Sequence, residues 1–287
     1  MNANHMTRRC CIALALIASV AAVVPTAQQK RGAVKTPRLY IFDNGAIKGL
    51  DPKLFNFTRE ELKEVDFRNT SYLIVHPRGT LMFDSGGIPD SQFKGDGPAT
   101  EGIMSATKRL LPQLKEAGYT PADITYFAMS HYHSDHTANA NAFAGSTWIV
   151  QKAERDFMFA EKPPGIIQPA QYSALKTAKT KLLDNDDFDV FGDGTVVIKS
   201  APGHTPGHQV LFLKLKKTGP LLVAGDLYHY PEEQTMNRFP SFEFDKAQSA
   251  ASRKAIDAFV KKTRAQMWIE HDAATNAKLK KAPEYYE

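Results

Sequence analysis

An α/β fold, sheets with helices laid over their outer faces, is predicted by three observations. Nine short apolar stretches of strand length are bounded by turn residues. Two long helical patterns alternate with them in the order strands first, then strand and helix twice over. The composition, 43% hydrophobic and 23% charged, is that of a packed globular chain and excludes disordered, collagenous and coiled-coil classes.

The chain opens on a stretch that reads as an address. Arg8 and Arg9 precede a continuous apolar run, Cys11 to Val24, and Pro25-Thr26-Ala27 offers a small residue for cleavage. As a helix the run is too short to cross a ~30 Å hydrocarbon core. Residues 1–27 are therefore expected to be an export signal and the product periplasmic or secreted, without stable membrane insertion once cleaved. Both cysteines, Cys10 and Cys11, leave with it, as do two arginines, so the formal charge falls from +5 to +3. The remainder, 28–287, is expected to be a single domain. Without cysteine it has no disulfide scaffold, no thiolate zinc site and no thiol nucleophile, and its stability must come from a large core, bound metal or both.

Strands are expected at Leu39 to Phe42, Ser71 to Val75, Thr80 to Phe83, Ile124 to Met129 and Thr147 to Val150. Further strands are expected at Thr195 to Lys199, Gln209 to Leu215, Leu221 to Ala224 and Gln266 to Ile269. Pro77-Arg78-Gly79 reads as a tight hairpin turn. A helix is expected over Ile103 to Ala117, with Ile103, Ala106, Leu110, Leu111 and Leu114 on one stripe and a stop at Gly118. A second is expected over Lys246 to Lys262, burying Ala250, Ile256, Phe259 and Val260. The Pro-interrupted region near 152–181 reads as a helical insertion or lid beside a site. Trp148 and Trp268 lie on strand patterns and read as core. Phe55, Phe57, Phe67, Phe157, Met158 and Phe159 are candidates for an apolar groove, with plain core packing as the alternative. Lys214, Lys216, Lys217, Lys278, Lys280 and Lys281 read as solvated faces, and no basic–aromatic interleaving supports nucleic-acid binding.

The histidines carry the functional signal. After the strand ending at Met129 comes Ser130-His131-Tyr132-His133-Ser134-Asp135-His136. His131 and His133 are two apart, so extended backbone points both the same way. Asp135 and His136 follow as the chain turns into a helix. Four hard or borderline ligands within six residues at a strand end are what a two-metal site requires. Ala201-Pro202-Gly203-His204-Thr205-Pro206-Gly207-His208 is a rigid turn after another strand. Ala224-Gly225-Asp226 and Glu270-His271-Asp272 close two more. Of nine histidines, seven (131, 133, 136, 204, 208, 229 and 271) lie in these segments or beside them.

The pattern H-x-H-x-D-H, then PGHTPGH, then GD, then HD resembles the metallo-β-lactamase superfamily along nearly the whole mature chain. Phe83-Asp84-Ser85-Gly86 resembles that superfamily's early Asp-containing turn. Leu39 to Gly45, Gly225-Asp226-Leu227-Tyr228 and Lys281 to Tyr286 resemble the N-acyl-homoserine-lactone lactonase branch. The resemblance implies an αββα four-layer sandwich binding two divalent metal ions, zinc best, with iron, cobalt or manganese also compatible. It implies one site of His131, His133 and His204, a second of Asp135, His136 and His271, and Asp226 bridging both. Asp84 and His208 would support these ligands from behind. Exported β-lactamases with this motif generally lack the bridging Asp, which favours a lactonase over an enzyme opening β-lactams or another ester or thioester. On that reading a metal-bridging hydroxide opens a lactone ring, Tyr228 assists at the oxyanion, and Asp135 carries a proton to the leaving oxygen. The chain departs from the branch at Asn44, where such lactonases often carry Cys, and at His229, where some carry a substrate-contacting Tyr. His229 and Tyr230 are candidate substrate contacts. The expected partner is a small-molecule substrate, with the protein a monomer or homodimer.

Overall fold

The computed structural model describes Met1 and residues 34–161 and 167–287. Residues 2–27 of the expected leader, with Cys10 and Cys11, and the Pro163-Pro164 step lie outside the described residues. Val34–Glu287 forms one compact unit.

The apolar runs near the start of this unit form an antiparallel meander. β1 (Arg38–Ile47), β2 (Phe67–His76) and β3 (Gly79–Phe83) pair in sequence order. The expected turn joins the last two, and His76 lies opposite Gly79, whose φ of 148° suits glycine. β4 (Ala99–Glu101) and β5 (Met104–Ala106) form a small ribbon against β1. β6 (Tyr126–Ala128), β7 (Thr147–Gln151) and β8 (Thr180–Leu183) continue from β3 in parallel. β9 (Phe188–Asp189), β10 (Val196–Ser200), β11 (Gln209–Leu215), β12 (Gly219–Val223) and β13 (Gln266–Trp268) make the second sheet, in the order β13-β12-β11-β10-β9. β14 (Tyr285–Tyr286) returns to β1 and completes a nine-stranded first sheet.

Helices cover both outer faces. α1 (Leu110–Glu116), α2 (Ser134–Thr137), α3 (Lys152–Met158) and α4 (Pro169–Tyr172) follow strands of the first sheet. α5 (Pro231–Met236), α6 (Lys246–Thr263) and α7 (Ala273–Asn276) belong to the second half. Between the sheets Leu39, Ile41, Ile74 and Phe83 meet Ile198, Leu211, Leu213 and Val223, with Trp268 among them. Trp148 packs on the opposite face of the first sheet with Leu110, Leu114, Phe143 and Tyr172. Val210, Phe212 and Leu222 pack outward beneath Ile256 and Phe259 of α6. The alternation of side chains in each strand thus fills three apolar layers at once, and the expected αββα sandwich is the fold.

Tertiary pairing overrides local pattern in several places. The helix expected from Ile103 begins only at Leu110, because Met104–Ala106 is drawn into the first sheet as β5. Ile103 is left exposed at the ribbon's turn. The predicted stop holds: Gly118 takes φ 88° and Tyr119 N–H donates to Leu114 O. On α6, Ala250 faces out, whereas Ser249, Ser252, Arg253 and Ile256 face in. The buried stripe is partly polar, since Ser252 Oγ donates to Pro202 O and Arg253 Nε to Leu227 O. The 152–181 region is a helical crossover from β7 to the parallel strand β8, and its Phe157, Met158 and Phe159 pack into the outer layer under Trp148 and Tyr172. Lys281 is half-buried, donating to Asn276 O and Leu279 O, and burial pushes its pKa down.

Asp245 caps α6 by accepting from the N–H groups of Ala247 and Gln248. Asp245→Ala is expected to destabilise the fold by ~1 kcal/mol in urea unfolding. A change near zero would show that neighbouring contacts, not the cap, set where α6 begins.

Candidate metal centre

Each segment singled out by its histidines or aspartates leaves the end of a strand, and all converge at one edge of the sandwich. His133 is the N-cap residue of α2, so the chain turns there and sends Asp135 and His136 to a second point. His204 stands in the turn between β10 and β11. Asp226 lies in the 3-10 turn Gly225–Leu227 after β12, and His271 follows β13.

Two sets of donor atoms result. His131, His133, His204 and Asp226 form one, and Asp135, His136 and His271 the other. In the first, His133 Nδ1 lies 2.9 Å from His131 Nε2 and 3.1 Å from His204 Nε2. Asp226 Oδ2 is 3.5 Å from His131 Nε2 and 3.4 Å from His204 Nε2. In the second, Asp135 Oδ2 is 3.4 Å from His136 Nε2 and 3.5 Å from His271 Nε2. The other oxygen of Asp226, Oδ1, is 3.3 Å and 3.1 Å from the same two nitrogens. Donors around a tetrahedral ion with ~2.0–2.1 Å bonds stand ~3.3 Å apart, so both sets have the right spacing. His136 Nε2 and Asp226 Oδ1 are buried without a hydrogen-bond partner. Unpartnered acceptors aimed at one point are what a cation satisfies, and the residues present fit two metal ions.

The rear of each imidazole is also held. His131 Nδ1 lies 3.0 Å from Ser130 Oγ, His136 Nδ1 lies 3.2 Å from Asp84 Oδ2, and His271 Nδ1–H donates to Arg68 O at 2.9 Å. Such partners fix ring orientation and tautomer. Asp84 adopts φ 60°, and its Oδ1 accepts from Ser130 N–H at 2.6 Å. His208 supports the shared carboxylate through the backbone. Its Nδ1–H donates to Ala201 O at 3.1 Å, and Nε2 accepts from Asp226 N–H at 3.0 Å. Burial pushes the His208 and His133 pKa values down to about 3. For His136 burial acts in the same sense, but Asp135, Asp226, Glu270 and Asp84 together raise it.

The three residues after Leu227 separate cleanly. Tyr228 does not reach the donor sets: its hydroxyl donates to Asp257 on α6 at 2.9 Å and its ring packs in the outer layer. The expectation that Tyr228 assists at the oxyanion is therefore corrected. Its backbone is extended (φ −141°, ψ 141°), so the neighbouring His229 points the opposite way, to the centre. His229 Nε2 lies 3.2 Å from Asp226 Oδ2 and Nδ1 lies 3.2 Å from Glu233 Oε1. Burial works against its proton, but Glu233 and Asp226 push its pKa up to about 9. Tyr230 turns away again, donating to Val65 O at 2.8 Å within the cluster of Phe55, Phe57 and Phe67.

A cavity of about 500 Å³ opens over the donors, with Ile47, Leu50, Phe55, Phe67, Ile103, Met104 and Phe242 around His133, Asp135, Asp226, His229 and His271. Phe55 and Phe67 thus line it, whereas Phe57, Phe157, Met158 and Phe159 belong to packed clusters.

Sequence reasoning missed the buried acids. Glu233 sits between His229 and Arg253, whose Nη2 donates to it at 2.6 Å. Glu270 lies with Asp84 behind His136 as a third carboxylate–imidazole group. Glu154 is buried in α3, and burial pushes its pKa up to about 7 against three donors. Single glutamates in helices and strand ends look like solvent-facing residues, and no spacing rule marks them.

Known proteins give the same picture. The Metallo-beta-lactamase superfamily family model matches residues 65–265. The N-acyl homoserine lactonase AttM of Azorhizobium caulinodans is 29% identical over 265 residues, 87% of this chain and 98% of that protein. An N-acyl homoserine lactonase of a Bacillus species is 30% identical over 249 residues, 82% and 94% of the two chains. The solved structure of a quorum-quenching N-acyl homoserine lactone lactonase superposes with a TM-score of 0.72 at 26% identity, covering 88% of this chain and all of that one. An N-acyl homoserine lactone hydrolase with N-hexanoyl-L-homoserine bound at its catalytic metal centre superposes at 0.71, again at 26% identity, covering 86% and 98%. Fold, strand-end donors and relatives agree along most of its length: the chain belongs to the metallo-beta-lactamase superfamily.

Proposed function

We propose that this protein is an exported hydrolase that opens the lactone ring of N-acyl homoserine lactones, with two divalent metal ions, most suitably zinc, held in the two donor sets. The observation that carries the reading is the apolar cavity directly over a carboxylate whose two oxygens face different donor sets. The named activity of relatives covering most of the chain supports it. The leader-like sequence of 1–27 supports export; among the described residues no helix is long and apolar enough to cross a membrane.

Bound there, two ions would lower the pKa of water toward ~7 and polarise a carbonyl oxygen. The chain does the rest. Asp226, braced by His208, keeps the two sets at a fixed separation. Phe55, Phe67, Met104 and Phe242 take an acyl chain out of water and so orient the ring over the donors. Asp135 lines the cavity and holds a proton on its way to the leaving ring oxygen. His229, backed by Glu233, lines the cavity beside Asp226, where it would orient the ring carbonyl of a bound lactone.

Zinc-loaded mature protein should hydrolyse N-acyl homoserine lactones in a panel that also contains a carbapenem and a thioester, followed by ring-opening assays. Rapid β-lactam or thioester turnover with no lactone turnover would overturn the substrate assignment and leave a sister activity on the same scaffold.

A further inference from the structure

Glu154 belongs to neither donor set, yet it ties two ligand-bearing loops together. It is the third residue of α3 and is 2% exposed. Its Oε1 accepts from Tyr132 N–H at 2.8 Å and from the Thr205 hydroxyl at 3.0 Å. Its Oε2 accepts from Gly207 N–H at 2.8 Å. Tyr132 is the residue between His131 and His133, and Thr205 is the residue after His204. One carboxylate therefore grips both segments that supply the imidazoles of the first set, and all three of these bonds go to those segments.

Two further features depend on this contact. A Cβ on Gly207 would fall 2.7 Å from both the backbone nitrogen and the Cβ of Glu154, so the second glycine of the turn is what lets α3 approach. The three partners are all donors, and only a carboxylate accepts from all of them. A carboxamide would turn its NH₂ toward an N–H or O–H that needs an acceptor. Buried donors left without one are costly, so the loops would move to satisfy them.

We propose that Glu154 is a positioning residue for the set His131, His133 and His204: it holds those three imidazoles in mutual register and so governs the affinity of that metal site separately from the Asp135, His136 and His271 site. This rests on the two-metal reading above. A residue needed only for folding would loosen both sites together or neither, which makes the asymmetry the measurable quantity.

The test is chelator competition with zinc on the full chain, with zinc counted by mass spectrometry, for the unmodified protein, Glu154→Gln and Thr205→Val. The unmodified protein should bind two zinc ions. Glu154→Gln should weaken one of them by about 10–100-fold, the loss typical of an outer partner of a ligand, and leave the other unchanged. Thr205→Val, which removes a single donor and leaves Glu154 in place, should weaken the same ion by less. Two zinc ions held by Glu154→Gln as tightly as before, or both loosened equally, would overturn the proposal while leaving the metal reading intact. Should Glu154→Gln fail to fold, unchanged zinc affinity in Thr205→Val overturns it instead. An unmodified chain that binds no zinc would overturn the metal reading, and this proposal with it.

Discussion

Asp226→Ala should remove both metal ions at once and lower lactone hydrolysis by at least ~100-fold, more than loss of an outer partner costs. The reason is geometric. One oxygen of Asp226 stands 3.3 and 3.1 Å from His136 and His271, and the other 3.5 and 3.4 Å from His131 and His204. No other carboxylate among the described residues appears in both spacings. Removing it leaves each set without the negative charge that would offset its cation. Asp226→Asn keeps the shape and one acceptor but not the charge, so it should bind metal more weakly than the parent and better than alanine. Metal content by mass spectrometry together with lactone turnover decides the matter. Full zinc content and full activity in the alanine variant would show that the two sets do not share this carboxylate.

Gly203→Ala should be among the most damaging small changes outside the donors themselves. Gly203 takes φ 135°, in the region that favours glycine, and its carbonyl accepts from Asp245 N–H, the cap residue of α6, at 2.8 Å. A Cβ there would fall 2.1 Å from Ser249 N and 2.5 Å from Ser249 Cα. These are backbone atoms inside α6 and cannot swing aside, as Ser249 N–H already donates to Asp245 O. Either α6 moves off the second sheet or the turn carrying His204 shifts. Strain and overpacking together should cost about 3–5 kcal/mol in urea unfolding of the metal-free chain. Zinc binding to the His204 set should weaken as well. A loss under ~1 kcal/mol would mean that α6 and the turn are not packed this closely.

Much of the site was legible because its signals are local. His131, His133, Asp135 and His136 occupy six residues, and period two together with one helical turn is enough to place them. His204, Asp226 and His271 could be picked out because each follows an apolar run that ends in turn residues. β11 runs over Gln209–Leu215 as expected, since seven largely apolar residues buried between sheet and helix have few alternatives. Met104–Ala106 failed for the converse reason. Its residues suit a helix locally, but three residues gain more by pairing with the edge at β1 than by extending α1.

The sequence by itself determined the layer class and the identity of the donors, because periodicity and ligand chemistry are written in neighbouring residues. Only the tertiary structure decided which atoms face each other. It turned Tyr228 out to Asp257 and His229 in to Asp226, one residue apart. It also split the oxygens of Asp226 between two sets and buried Glu154, Glu233 and Glu270 as anchors. Those outcomes depend on the direction of a side chain and on partners tens of residues away along the chain. A buried acid is stable only where distant donors meet it, and no local pattern records that meeting.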